Sequence, residues 1–397
     1  MRVLSITGAF VAFGSLMGAA ACGGSSQRTG AATLQVIAPQ SAMQAGASQQ
    51  LSAVVKDANG STRDVTTKAI WSSSSDAVAT VSMSGLLTGA GAGSTVITAT
   101  YQQAKSSTDI EVTKLFGVSS CCPNQFLLLT TSLEQFSIVH SIGNELSGFF
   151  GSATDAENHH FYVPRLDATN NIWSLLTLDT QTGDLISTQT LSIPGGFDWQ
   201  WDATSKRLLA ITTLSSDHTT NDLVVVDPSS LVVTPILQLG DLSVSFSNAS
   251  SFDSKAGLFY CIRFSSSNEA TLLGVNVSSG EIQKQFPLNS PAPFVMQWDS
   301  SNNLLYGLEG NDFVSIDPVT GGVQVKETVG DASTAFDAFL SAIDSVRRRF
   351  YVVKVITTPG SANTEQILGI DLDSGSVAET LKLNNPIILL GAEQGAP

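Results

Sequence analysis

The stretch NNPIILLGAEQGAP, residues 384–397, ends the chain with an apolar run, Ile387 to Leu390, held between turn residues and a small polar tail. The run reads as a β-strand, and a strand alone is unstable. It buries one face at most, and its N–H and C=O groups need a neighbouring strand. It must therefore pair with something earlier in the sequence, and finding that partner decides the fold.

The partner emerges from internal repetition. Five segments align without a slip of register: GSATDAENHHFYV (151–163), DWQWDATSKRLLA (198–210), SSFDSKAGLFYC (250–261), VMQWDSSNNLLYG (295–307) and LSAIDSVRRRFYV (340–352). In each an Asp stands eight residues before a small residue: Asp155 and Val163, Asp202 and Ala210, Asp253 and Cys261, Asp299 and Gly307, Asp344 and Val352. These Asp residues recur every 45 to 51 residues through strand and turn patterns alone, which predicts propeller blades of four strands. A second column, Asp179, Asp227, Asn276, Asp317 and Asp371, supplies the hairpin between third and fourth strands; Gly183, Gly280, Gly321 and Gly375 follow it in four of the five units. The segment KLFGVSSCCPNQFLLLTTSLEQFSIVHSIG (114–143) matches strands two to four only and lacks its first. PIILLGAEQ matches that missing strand, with Glu393 falling 49 residues after Asp344. The last strand is thus expected to complete the first blade and close a ring of six, leaving no free sheet edge around the ring.

In each blade the first strand lines the channel. Both Asp columns then fall on one face of the disc, with short, regular turns, where recurrence at every blade points to a turn-capping role rather than catalysis. The other face carries loops of unequal length, and irregular polar loops on a rigid scaffold are where binding usually resides. Candidate ligand contacts are Asp167, Asn170 and Asn171, then Asp217, His218, Asn221 and Asp222, then Asn268 and Glu269, with residues 359–366 as a further loop. Two residues before each Asp or Glu the channel positions are Ala153, Gln200, Ser251, Gln297, Ala342 and Gly391. Four before, Asp198 is the one charge beside Gly151, Ala249, Val295, Leu340 and Leu389. Intervening positions such as Trp201, Phe252, Trp298 and Ile343 read as core. A metal-dependent hydrolase needs several converging acids, Asn or His. No such cluster is readable here, so catalytic residues, metal ligands and cofactors are expected to be none. His140, His159 and His160 read as outer-strand and turn residues, Cys261 as a small buried hydrophobe, and Arg347-Arg348-Arg349 as a solvated turn.

Residues 33–113 hold short alternating strands; Leu51, Ala53 and Val55 keep period two, and Asp57-Ala58-Asn59-Gly60 supplies a turn. The motif IWSSSSDAVATVSMSGLLTGAGAGSTVITAT (70–100), with Trp71-Ser72-Ser73, Val78-Ala79-Thr80-Val81, Gly85, Gly89, Gly93 and Ile97-Thr98-Ala99-Thr100, resembles the bacterial Ig-like domain of group 2 found in adhesins. That resemblance implies a β-sandwich without an active site, suited to holding the next domain off a membrane. The repeats of residues 114–397 are similar to surface-layer and lactonase-like propellers, a likeness of architecture that transfers no activity.

The start of the chain, MRVLSITGAFVAFGSLMGAAACGGSSQRTG (1–30), has Arg2, an apolar stretch from Val3 to Met17, and small residues leading to Cys22. Ala19-Ala20-Ala21-Cys22 resembles a bacterial lipobox, departing from it by lacking Leu at the first position, and implies lipidation of Cys22. An ordinary secretory signal cleaved after Ala21 is the alternative. Residues 1–21 would be the signal peptide and 22–32 a flexible tether, for which Gly23-Gly24-Ser25-Ser26 suits. Adjacent Cys121 and Cys122 could bond only with strain, because neighbouring strand residues point to opposite faces. The formal net charge is −15 with charged residues at 13%, which repels phosphate backbones and excludes nucleic acid as the expected partner.

The expected molecule is all-β: a lipid-anchored bacterial cell-envelope protein in which an Ig-like stalk presents a six-bladed propeller to an extracellular protein or glycan. Its membrane contact would be through the N-terminal lipid only. The alternative is a propeller enzyme, a lactonase-like hydrolase or glycan lyase, working at the variable loop face.

Overall fold

The computed structural model describes residues 32–119, 124–130, 135–143, 151–167, 170–193, 196–214, 220–241, 245–288, 292–331, 334–356, 364–383 and 387–393. The lipobox with Cys22, the vicinal Cys121 and Cys122, and the loop pair Asp217-His218 lie outside them.

The N-terminal part is a β-sandwich. Thr33–Ile37, Ser52–Lys56 and Thr62–Asp64 form one sheet; Ile70–Ser73 and Gly93–Tyr101 pair in another, which also takes Ala104–Ser119. Alternation drives the packing: Leu51, Ala53 and Val55 turn inward to meet Ala79, Leu87, Ile97 and Ala99, all buried. Trp71 joins the two halves of this core and donates its indole N–H to the carbonyl of Thr66 at 2.9 Å.

Strand Ala104–Ser119 does not stop at the end of the sandwich. Its first part pairs antiparallel with Gly93–Tyr101 and, over Glu111 to Thr113, parallel with Ala42–Gln44. Its second part, from Lys114, pairs with Asn124–Thr130 on one side and with Ile387–Glu393 on the other. One strand therefore belongs to both folds.

The propeller has six blades. Blade one runs, from the channel outward, Ile387–Glu393, Ala104–Ser119, Asn124–Thr130 and Gln135–Gly143, so the closing strand sits where the repeat required it. Blades two to six are antiparallel four-stranded sheets whose inner strands are Ala153–Asp155, Phe197–Asp202, Ser245–Asp253, Val295–Asp299 and Ala335–Asp344. Each inner strand lies against the next, and Ile387–Glu393 touches both Ala335–Asp344 and Ala153–Asp155, which closes the ring. The closing strand alternates between two cores. Leu390 and Ile387 pack with Leu340, Tyr351, Val353 and Leu381 of blade six, whereas Leu389 packs with Phe161, Val163, Leu176 and Leu178 of blade two. Cys261 is fully buried between blades three and four beside Leu209, Phe252 and Phe259.

Candidate functional site

The two faces of the disc differ in what their polar groups are doing. On the tight face all six column acids are buried: Asp155, Asp202, Asp253, Asp299, Asp344 and Glu393. The Asp carboxylates fold back on their own turns. Asp202 accepts the N–H groups of Thr204 and Ser205 at 3.0 and 3.2 Å, Asp253 those of Lys255 and Ala256 at 3.0 and 3.1 Å, and Asp344 that of Arg347 at 2.8 Å. The outer column does the same: Asp179 accepts from Gln181 and Thr182, Asn276 from Ser278 and Ser279. Four residues after each inner Asp the backbone is left-handed, at His159, Lys206, Gly257, Asn303 and Arg348. A glycine stands there only once in five, so the turn's hydrogen bonds hold a conformation that costs a side chain energy.

Those left-handed positions also tie blade to blade, which sequence reasoning missed. His159 of blade two meets the buried carboxylate of Glu393 through Nδ1, and the Thr180 hydroxyl donates to its other oxygen. Arg348 of blade six reaches back to Asp299 of blade five and to Asp373. The Arg347-Arg348-Arg349 run is thus corrected from a solvated turn to a paired cluster: Arg347 and Arg349 engage Glu379, and Arg349 also engages Asp371. Arg347 donates to the Tyr351 hydroxyl at 2.7 Å and, across to the Ig-like domain, to Oε1 of Gln44 at 3.2 Å. Gln44, Thr113 and Lys114 are all buried at this junction. Burial holds the Lys114 amine below its usual value, with the charges of Glu393 and Asp179 opposing. The Ig-like domain is therefore seated on the tight face.

The opposite face carries the candidate loops. Asp167 accepts the backbone N–H and the side-chain amide of Asn170 at 3.2 and 2.8 Å, which bends that loop, and Asn171 follows in the left-handed region. Asp222 is buried at the loop base, where its carboxylate accepts from the Leu214 N–H and the Thr220 hydroxyl, both at 3.2 Å; Asn221 is buried beside it. Asn268 is left-handed in the Ser265–Glu269 turn, and Glu269 accepts from the Ser267 hydroxyl at 3.1 Å. The carboxylates of Asp167, Asp222 and Glu269 thus shape their own loops, while Asn170 and Asn171 stand exposed. Among the described residues, these candidates do not line one shared pocket. The structure does open a depression at blade two, lined by Asn171, Ile172, Trp173, Thr190, Leu191, Ser192 and Ile193. Trp173, Thr190 and Ser192 were not among the candidates; their signal was only their position at the loop ends of the third and fourth strands.

The channel is lined by neutral side chains and by Asp198. Among the described residues, no group of three or more His, Cys, Asp or Glu converges.

An Ig-like sandwich continued by one shared strand into a six-bladed propeller defines the class of this molecule. Comparison with known proteins agrees part by part. Residues 32–112 match the bacterial Ig-like domain (group 2) family. A 68-residue segment is 40% identical to Ice-binding protein 1 of Shewanella frigidimarina (strain NCIMB 400), covering 17% of this chain and 8% of that protein. In three dimensions the chain resembles a chain of a nidogen/laminin complex, with a TM-score of 0.51 and 11% identity over 70% of this chain and 98% of the other. It equally resembles a putative TolB from Agrobacterium tumefaciens, with a TM-score of 0.50 and 9% identity over 72% and 98%. At such identities the likeness is one of fold.

Proposed function

We propose that this chain is a bacterial cell-envelope protein, lipid-anchored through Cys22, whose Ig-like domain holds the propeller away from the membrane so that the variable loop face binds a glycan or protein. The observation that carries this reading is the seat of the Ig-like domain on the tight face, fixed by the shared strand and the Arg347–Gln44 contact. An anchor at the N-terminus then leaves the loop face pointing outward. The tight face is also chemically spent, since its acids are engaged in turns and blade-to-blade pairs. The depression at blade two supports a glycan in particular: an indole, Trp173, stands with the Asn171 amide and the hydroxyls of Thr190 and Ser192, an apolar ring flanked by polar groups.

The test is a glycan array and an extracellular-matrix pull-down with the full chain, comparing wild type with Trp173→Ala, Asn171→Ala and the tight-face variant Asp253→Ala. Loss of binding in the first two with retention in the third is the expected result. Retention in the loop variants with loss in a folded Asp253→Ala would reverse the assignment of faces. Anchoring is checked separately by metabolic labelling with a fatty-acid probe, where equal labelling of wild type and Cys22→Ser would sink it.

A further inference from the structure

The turn Asp57-Ala58-Asn59-Gly60-Ser61 joins strands Ser52–Lys56 and Thr62–Asp64, and the second of these is the edge of its sheet. Residues 58 to 64 are all exposed, and a side chain added at Gly60 would meet nothing within 4 Å. The turn therefore stands in open space where an enzyme can reach it. Gly60 takes a φ of 85°, and two backbone bonds close the turn: the Gly60 N–H donates to the Asp57 carbonyl at 2.8 Å, and the Asp57 N–H to the Ser61 carbonyl at 2.9 Å.

The side chains of this turn are organised around one amide. Asn59 Oδ1 accepts the Ser61 N–H at 2.9 Å and the Ser61 hydroxyl at 2.7 Å, and that hydroxyl also lies 3.3 Å from Asp57 Oδ2. A backbone N–H can only donate, so it fixes which end of the amide is the oxygen. The exposed nitrogen, Nδ2, makes no hydrogen bond among the described residues. An amide nitrogen is a poor nucleophile because its lone pair is shared with the carbonyl. It becomes a better one as it loses a proton, when negative charge gathers on Oδ1, and two donors already aimed at that oxygen stabilise the charge where it develops. Asn-x-Ser, the acceptor pattern for N-linked sugars, is the spacing that lets one residue supply both donors. The chain holds two other such triplets. In Asn276-Val277-Ser278 the amide oxygen takes the N–H groups of Ser278 and Ser279 at 3.0 and 2.9 Å, with no hydroxyl bond among the described residues, and Gly274 stands where Asp57 does here. In Asn248-Ala249-Ser250 the serine is buried.

We propose that Asn59 is the acceptor of an N-linked glycan, transferred to Nδ2 by an envelope oligosaccharyltransferase from a lipid diphosphate-linked oligosaccharide. A bond forms between Nδ2 and the anomeric carbon of the sugar. The bond from that carbon to the diphosphate breaks, and its electron pair leaves with the lipid diphosphate. The amide proton goes to a base of the transferase, and nothing is oxidised or reduced. Asp57 places a carboxylate two residues before the acceptor, a handle for a cationic groove on the transferase. The other fate open to an Asn-Gly pair, attack of the glycine nitrogen on the side-chain carbonyl, is opposed by the bond that holds the Gly60 N–H on Asp57. A sugar here would also screen the edge strand Thr62–Asp64 from pairing with a second chain. The site rests on the envelope reading in one respect, that the chain is exported, and is independent of the loop face.

The experiment is mass spectrometry of the full chain purified from the envelope of the cells that make it, with electron-transfer fragmentation to place any sugar. The peptide holding Asn59 is expected to carry an oligosaccharide, and those holding Asn248 and Asn276 none. Asn59→Gln should lose the modification, Ser61→Ala should lower its occupancy at least ten-fold and Asp57→Ala several-fold, while Ser61→Thr, which keeps the hydroxyl, should retain it. A second arm reads the acceptor without export: the full chain, made in cells lacking the enzyme, is incubated with a purified bacterial oligosaccharyltransferase and an undecaprenyl diphosphate-linked oligosaccharide. Transfer to Asn59 there is expected, and if the chain proves not to be exported, that transfer upholds the acceptor while the envelope reading falls. Absence of sugar from an exported wild-type chain, equal occupancy in Ser61→Ala, or transfer to Asn276 in preference to Asn59 would each overturn the proposal.

Discussion

Truncating the closing strand at two adjacent residues should show that it belongs to two cores at once. Leu389 and Leu390 are 3% and 5% exposed, yet they face opposite ways: Leu389 toward Phe161 and Val163 of blade two, Leu390 toward Tyr351 and Val353 of blade six. Removing a buried leucine side chain to alanine costs about 2–5 kcal/mol, the transfer loss plus the cavity left behind. Adjacent residues can couple by about 0.5–3 kcal/mol, but side chains seated in separate cores lose separate contacts. The double variant Leu389→Ala, Leu390→Ala should therefore lose clearly more than either single, up to about 10 kcal/mol where the two losses add, against a typical domain's roughly 5–15. Urea unfolding followed by tryptophan fluorescence, extrapolated linearly to water, reads all three variants. Two results would refute the reasoning. One is a double variant no less stable than the worse single, which would mean a single shared core. The other is a single variant losing under about 1 kcal/mol, which would mean the strand is not seated as described.

Further outcomes follow from the polar groups. Asp253→Ala removes the acceptor of two backbone N–H groups, and by analogy with helix caps should cost about 0.5–2 kcal/mol in the same assay; no change would mean the turn holds without it. Thr180→Val keeps the shape of a buried side chain and deletes its bond to Glu393, so it should cost about 1.5–3 kcal/mol, and a negligible loss would deny Glu393 its part in closure. Because the Asp198 carboxyl is raised on folding, the folded chain holds a proton there that the unfolded chain has lost. Wild-type stability should thus fall as pH rises from the ordinary carboxylate range toward the folded pKa, and Asp198→Asn should lack that component. Identical pH profiles for the two proteins would contradict it.

Much of the fold was legible because turn chemistry repeats. An Asp whose carboxylate caps a turn leaves the same letter at the same offset in every blade, and the blade short of a strand pointed to Ile387–Glu393. The split of Leu389 and Leu390 between two cores was not legible, since alternation predicts opposite faces without saying what each face meets. Other features depend on distant partners that leave no local pattern. Arg347 looked like part of a charged turn because its partner Gln44 is 303 residues away. At the loops, the acids read as candidate ligand contacts are those that bend the chain: Asp167, Asp222 and Glu269 each serve a neighbour within eight residues. The tryptophan beside them, Trp173, gave no signal beyond its position at a strand end, because an aromatic residue in a strand reads as core. Asp198 was visible as the odd charge of the channel, but its bulge and left-handed backbone were not.

The strand Ala104–Ser119 also has a mechanical meaning. Between the sandwich and the propeller a pull travels along one unbroken strand, with no linker between the two folds to stretch first. The partners of that backbone run alongside it: Gly93–Tyr101 in the sandwich, then Asn124–Thr130 and Ile387–Glu393 in the first blade. Load along the strand is therefore shared by whole ladders of hydrogen bonds strained in parallel, not broken one at a time from an end. The propeller's own resistance then rests on a strand far along the sequence. Until Ile387–Glu393 has docked, Lys114 to Ser119 lacks its channel-side partner, so the joint bears tension on both sides only once the ring has closed.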